Sequence, residues 1–177
     1  MPVIARSEAT IREVTPADAA ALARIYNHYV LHTIITFEEA AVSADDMAAR
    51  MTETAAASFP WLVAATPAGV RGYAHASRWK GRCSYRYSAE VTVYIEEGYA
   101  GRGLGSQLYA ALFPRLEALG YHVLIGGIAL PNDASVALHE KFGLRRVGLL
   151  SEVGYKFGRW VDVGYWQLTL PARVPPP

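Results

Sequence analysis

Val91–Ser106 reads Val-Thr-Val-Tyr-Ile-Glu-Glu-Gly-Tyr-Ala-Gly-Arg-Gly-Leu-Gly-Ser, and this stretch decides the fold. An extended, β-branched run ends in two acids, Glu96 and Glu97, and passes into a glycine-rich turn. The residues after the turn have helical spacing. Gly101, Gly103 and Gly105 let the main chain approach a bulky anion and adopt positive φ at little cost. Free N–H groups at a helix start, together with the helix dipole, attract phosphate. The stretch therefore predicts a strand, a phosphate-holding turn and a helix.

Several chemistries use such a turn. A nucleotide P-loop needs Gly-Lys-Ser/Thr after its glycines, and this chain has Gly-Leu-Gly-Ser. A dinucleotide fingerprint would run Gly101, Gly103 and a small residue at Ser106, with a ribose-binding carboxylate closing the next strand. The stretch Tyr121–Pro131 contains no acid. A loop for the pyrophosphate of acyl-CoA and a glycine-rich turn with no ligand both remain open on the loop alone.

At 177 residues the chain suits one domain with a sizeable core, expected over about 10–170. A composition of 52% hydrophobic and 19% charged residues is that of a globular protein. A net charge of +1 gives no field for nucleic acid or an anionic membrane. Trp79–Tyr87 mixes Lys80, Arg82 and Arg86 with aromatics, a patch too short to predict nucleic-acid binding. The lone Cys83 cannot form an internal disulfide and points to a reducing cytoplasm. No apolar run has the length of a membrane span, and the N-terminus lacks a signal-peptide core. Pro171–Pro177, with four prolines, is expected to be a frayed or extended tail.

Outward from the loop, the order of elements follows from turn and cap signals. Thr10–Val14 reads as a strand. Thr15-Pro16-Ala17-Asp18 opens a helix running to about Val30, and Ser43 with Asp45 and Asp46 opens a second. Trp61–Thr66 and Val70–Arg78 form a hairpin about Pro67-Ala68-Gly69, and a strand covers Ser88–Glu96. Leu104, Leu108, Leu112 and Leu119 predict the stripe of the helix after the loop. Pro114 predicts a kink or lost pairing to Ala110 in that helix, and Gly120 its end. His122–Leu130 is a short buried strand, and Pro131-Asn132-Asp133 leads a helix to Phe142-Gly143. Leu144–Leu150 and Val161–Leu170 close the chain as strands. The fold class is α/β (α+β), a mixed sheet flanked by helices.

Glu90 in Ala-Glu-Val-Thr-Val-Tyr-Ile, the loop Gly101–Ser106, Leu130-Pro-Asn-Asp133 and Ser135–Gly143 stand in one order. Together they resemble the GNAT superfamily of acetyl-CoA-dependent N-acetyltransferases. Trp79-Lys-Gly-Arg82 and Gly154–Gln167 sharpen the resemblance toward the phosphinothricin and methionine sulfoximine N-acetyltransferases, over Ile11–Leu170. The resemblance implies a largely antiparallel sheet splayed between its fourth and fifth strands. It implies that main-chain groups of Val93, Tyr94 and Ile95 bind the pantetheine arm. Amides of Gly101, Arg102, Gly103, Leu104, Gly105 and Ser106 would hold the pyrophosphate, and Asn132 would face the cofactor. The family pattern begins with Gln or Arg three residues before its first motif glycine, and Ala100 stands there. Arg102 is the candidate to supply charge in its place.

The chemistry has its own logic. An amino-acid amine is protonated at neutral pH, so acetylation needs a base, direct or through water. Glu90 lies in a strand otherwise rich in Val, Thr and Tyr, where partial burial raises a carboxylate's pKa toward the useful range. The family places its base there; a structural acid paired to an arginine is the competing reading. His139 falls where the family has a histidine implicated in catalysis, with a structural histidine as the alternative. His28 and His32 share a helical face at i, i+4 but have no convincing third ligand, so no metal is expected. Lys80, Arg82 and Tyr85 fall where herbicide-acetylating members hold the acceptor, and Phe37 matches an aromatic wall. A solvated basic turn is the alternative for Lys80-Gly-Arg82.

The resemblance thus implies a cytoplasmic, homodimeric enzyme using acetyl-CoA on a small amino-acid-like amine, with a place in herbicide resistance. An acetyltransferase for another amine (antibiotic, polyamine or peptide) and a non-catalytic CoA sensor are the alternatives.

Overall fold

The computed structural model describes residues 9–171. The proline-rich tail after Pro171 and the first eight residues lie outside them. The chain runs β1 (Thr10–Glu13), α1 (Ala19–His32), α2 (Ala44–Ala56), β2 (Trp61–Thr66), β3 (Gly69–Arg78), β4 (Ser88–Ile95) and α3 (Leu104–Ala118). It continues through β5 (Val123–Ala129), α4 (Asp133–Lys141), β6 (Arg145–Lys156) and β7 (Arg159–Thr169). The strands form one sheet in the order β1-β2-β3-β4-β5-β7-β6. Every neighbouring pair is antiparallel except β4–β5, which is parallel.

Local chemistry places the helix starts. Ser43 Oγ accepts the Asp46 N–H at 3.0 Å, and the Asp46 carboxylate accepts the Ser43 N–H at 3.2 Å. That reciprocal box satisfies donors that α2 would otherwise leave bare. Before α1 a 3-10 turn, Pro16–Asp18, intervenes. Its Asp18 accepts from the Thr15 N–H and from both Arg12 guanidinium nitrogens at 2.8 Å.

Alternation along the strands divides the core between two faces. One face packs Leu62, Ala74, Val91, Leu124 and Trp166 against Leu104, Leu108, Leu112 and Leu116 of α3. The other packs Val63 and Tyr73 against Leu22, Ile25 and Val30 of α1 and Met47 and Met51 of α2. Each fully buried leucine contributes roughly 1.5–3 kcal/mol, so the α3 row firmly anchors the helix that starts at the glycine loop.

Two sequence expectations are corrected. The α3 stripe continues to Leu116, not Leu119; Leu119 is the C-cap and is exposed, because the helix ends before another element can cover it. The helix runs through Pro114, where the lost pairing to Ala110 expected from the sequence occurs without ending it. Pro114 and Ala110 both lie on the exposed side, so the carbonyl that loses its partner faces solvent. The closing strands are longer than their apolar runs, and Gly154–Trp166 is part of their hairpin. A bulge between Leu150 and Gly154 absorbs the polar Ser151-Glu152 that reads as a strand end. Asp162 holds that bulge by accepting the Glu152 N–H at 2.8 Å.

Candidate active site

The site begins where two strands separate. β4 pairs with β3 over nearly its whole length, from Ala89 to Ile95. With β5 it pairs only through Ser88, Ala89 and Glu90, the last opposite Ile125. Beyond Glu90 the β5-facing main-chain groups of Val91–Ile95 have no strand partner there. A cavity of about 170 Å³ occupies the gap. Glu90, Val93, Tyr94, Tyr109, Asn132 and His139 are among its walls.

The glycine loop lies past the end of β4. Gly101 and Gly103 have φ of 75° and 82°, a region costly for other residues. Gly103 is the N-cap of α3 and provides no side-chain cap to the first-turn amides. Those donors are therefore open to an anion. Gly105 serves a different purpose: a β-carbon there would stand 2.9 Å from Leu138, so its absence lets α3 and α4 approach closely. Lys141 Nζ donates to Ser106 Oγ at 2.8 Å across the same junction. Arg102 lies 4.7 Å from the Tyr99 ring centre, as does Arg71 on that ring. Glu96 binds Arg71 and Arg24. Cationic charge therefore accompanies the loop although Ala100 carries none. Open amides, nearby cations and a slot between strands fit a diphosphate with a long thin arm.

Glu90 is partly buried, and among the described residues no hydrogen bond holds its carboxylate. Burial raises its pKa, and the Lys80 ammonium partly opposes the rise. Its Oε1 lies against the backbone of Gly127, where a β-carbon would stand only 3.3 Å away. This is the environment of a base with little tying it down.

His139 approaches the cavity from the opposite face of the sheet. Adjacent strand residues face opposite sides, so Gly127 adjoins Glu90 while Gly126 adjoins His139. A β-carbon at Gly126 would stand 2.5 Å from the imidazole. His139 Nδ1 lies 2.8 Å from the Ser135 carbonyl, which fixes it as a donor. Nε2 is then the acceptor for the Tyr109 hydroxyl, 3.0 Å away. The ring is buried, and burial lowers its pKa, which favours the neutral form. Tyr109 is not among the residues the sequence singles out. Its one signal is a phenol beside an otherwise aliphatic stripe.

Asn132 is the N-cap of α4, and its Oδ1 accepts the Ser135 N–H at 3.2 Å. The cap commits its carbonyl oxygen, and Asn132 lines the cavity. The four acceptor candidates lie outside that cavity's walls. Lys80 stacks over Trp79 at 4.9 Å. Arg82 and Lys80 line a second cavity of about 300 Å³ with Phe59, Arg78, Arg86 and Tyr121. Tyr85 is exposed on the same loop. The Phe37 ring packs over Gly154 of β6, and the buried Lys156 donates to the neighbouring Thr36 carbonyl at 2.7 Å. Ile35, rather than Phe37, reaches the Glu90 cavity. His28 Nδ1 lies 3.3 Å from Glu97, and no cluster of metal-ligating side chains occurs among the described residues. No helix among them is long and apolar enough to cross a membrane.

Comparisons with known proteins agree with this geometry. The acetyltransferase (GNAT) domain family matches residues 11–164. A phosphinothricin N-acetyltransferase of Streptomyces viridochromogenes is 39% identical over 97% of this chain and 93% of its own. A Salmonella typhimurium L-methionine sulfoximine/L-methionine sulfone acetyltransferase is 36% identical over 94% of this chain and 98% of its own. A Salmonella typhimurium structure containing its cofactor acetyl-CoA superposes with a TM-score of 0.91 at 36% identity, covering 96% of this chain and 98% of that one. A Sinorhizobium meliloti GNAT phosphinothricin acetyltransferase in complex with acetyl-CoA gives a TM-score of 0.88 at 35% identity, covering 92% and 88%. With a strand pair opened at Glu90 and an uncapped helix behind a glycine loop, this chain belongs to the GNAT family of acetyltransferases.

Proposed function

We propose that the protein is an acetyl-CoA-dependent N-acetyltransferase that acetylates a small amino-acid analogue, such as phosphinothricin or methionine sulfoximine, by direct transfer. The observation that carries this reading is Glu90: a partly buried carboxylate at the last paired position of the opened strands, facing a cavity. Relatives named for phosphinothricin and methionine sulfoximine support the acceptor class.

When bound, acetyl-CoA supplies the thioester carbonyl that an amine attacks. Main-chain groups of Val93, Tyr94 and Ile95 take the arm; the amides from Gly101 to Ser106, with Arg102 nearby, take the diphosphate; the Asn132 side chain faces the cofactor. Glu90 accepts the amine proton, directly or through water, and its raised pKa strengthens it as a base. His139 and Tyr109 are the polar pair on the opposite wall; the Tyr109 hydroxyl, turned from His139 Nε2 toward the cavity, donates its proton to the leaving sulfur as the C–S bond breaks. Lys80, Arg82 and Tyr85 bind the acceptor's anionic groups, and Phe37 contributes an aromatic wall. The opposing effect of the Lys80 ammonium on the Glu90 carboxylate supports this assignment.

The same reading includes a homodimer in the cytoplasm, without metal or nucleic acid, and a place in herbicide resistance. The edge strand β6 exposes Val147, Leu149, Leu150, Val153 and Tyr155, and Phe157 and Trp160 lie exposed beside it. An apolar, unpaired edge favours pairing with a second copy. The exposed free thiol of Cys83 suits a reducing compartment.

The test is free-thiol release from acetyl-CoA across a panel of amines. Turnover with methionine sulfoximine or phosphinothricin is expected. Turnover confined to aminoglycosides or peptides would replace the acceptor, and cofactor binding without turnover on any amine would make the protein a CoA sensor.

A further inference from the structure

β5 lies inside the sheet, yet one of its residues is open. Leu124, Ile125, Gly126, Ile128 and Ala129 are buried, while Gly127 between them is exposed. Its neighbours explain what the opening adjoins. A β-carbon on Gly127 would come 3.3 Å from Glu90 Oε1 and 3.2 Å from the Tyr165 ring. Tyr165 stands opposite Gly127 in the β5–β7 register, so the two share a face. The Tyr165 ring meets Trp79 edge-on, with centroids 5.4 Å apart and planes at 76°. The Lys80 ammonium lies 4.9 Å from the Trp79 ring. A bare backbone step beside the proposed base is thus continued by two aromatic rings and ends at a cation.

We infer that Gly127, Tyr165 and Trp79 form the slot that selects the acceptor by its side chain. The step at Gly127 admits the amine-bearing carbon beside Glu90. The two rings then cover the methylene chain, and Lys80 meets an anionic tip. This slot favours amino acids with a long, flexible, polar-tipped side chain over those the size of alanine, which stop short of the rings. Ring faces contribute apolar contact without demanding one hydrogen-bonding pattern. The inference deepens the proposed acetyltransferase reading and rests on it.

The experiment measures kcat and KM for methionine sulfoximine in the wild type, Tyr165→Ala, Tyr165→Phe and Trp79→Ala, with acetyl-CoA Kd and thermal unfolding recorded for each. Tyr165→Ala and Trp79→Ala are expected to raise the acceptor KM by about 10-fold or more, the scale at which one pocket contact discriminates. Their kcat and acetyl-CoA Kd are expected to stay within about 3-fold, since neither ring is assigned to catalysis. Tyr165→Phe keeps the ring and is expected to retain the wild-type KM. Trp79 sits in a loop, so its variant stands even where the strand variant fails to fold. An unchanged KM in folded Trp79→Ala, or an equal loss of acetyl-CoA affinity, overturns the slot while leaving the acetyltransferase reading intact. A wild-type protein that acetylates no amino acid overturns both.

Discussion

Glu90→Gln separates proton transfer from binding. Glutamine keeps the shape of glutamate, so the contact with Gly127 and the cavity wall survives. Only the ability to accept a proton is lost. A positioned general base contributes 10²–10⁴ in rate, so kcat is expected to fall by that factor, about 3–5 kcal/mol of barrier. Acetyl-CoA affinity is expected to change by less than about 3-fold, because the cofactor contacts assigned above do not use this carboxylate. The wild-type acid limb of kcat/KM is expected above the ordinary carboxylate range, since burial raises the Glu90 pKa. That limb disappears in the variant. Stability gives an independent sign. A folded-state pKa raised above the unfolded value means that stability falls as pH rises between the two. The variant lacks this loss and is expected to be at least as stable as wild type at pH 7. Stopped-flow thiol release, calorimetric titration of acetyl-CoA and thermal unfolding supply the three readouts. Near-normal kcat, or equal loss of turnover and cofactor affinity in a folded variant, would refute the assignment.

Gly103→Val forces a β-branched residue to φ near 82° at the mouth of α3 and blocks close approach. Calorimetry is expected to show acetyl-CoA Kd raised at least about 10-fold, and an unchanged Kd in folded protein would move the diphosphate elsewhere. Arg82→Ala is expected to raise the acceptor KM about 10-fold with kcat nearly constant; an intact KM would assign Arg82 solely to the basic cavity with Phe59 and Tyr121. Asp18 tests the scaffold: the Arg12 guanidinium lowers its pKa from 3.8 to about 2. Its contribution is therefore complete above pH 4 and lost as pH falls toward 2, about 1–2 kcal/mol after screening of the partly exposed arginine. Asp18→Asn is expected to show less of this acid-induced loss in urea unfolding at pH 7 and pH 3; identical pH dependence would sink the assignment.

Residues differed in how openly the sequence declared their place. The α2 cap, the β2–β3 hairpin and the glycine loop depend on neighbours a few positions away, so local chemistry predicted them. Glu90 stood out because an acid interrupts an apolar strand just before that loop. Tyr109 did not, because its significance depends on α4, thirty residues later, bringing His139 Nε2 to its hydroxyl. Leu119 and Leu116 both suit an amphipathic helix, and only the position of the helix end decides between them. The sequence shows the β6–β7 hairpin as shorter than it is, because its bulge carries polar residues and a distant carboxylate, Asp162, accepts the Glu152 N–H there.

The double glycine of β5 draws the two sides of the site together. In a closed sheet, groups on opposite faces are separated by a layer of bonded backbone. Here β4 and β5 part directly after Glu90, so the cavity is lined by both Glu90 and His139. Side chains on both adjoining β5 residues would crowd it from both faces. Gly126 leaves room for the imidazole, and Gly127 leaves room beside the carboxylate. The parallel pair and the two glycines thus address one constraint of the proposed reaction: an amine and a thioester must meet within the thickness of a sheet, between Glu90 on one face and His139 with Tyr109 on the other. Either feature alone is insufficient, since a gap with side chains at both positions would be obstructed and glycines in a fully paired sheet would open onto backbone.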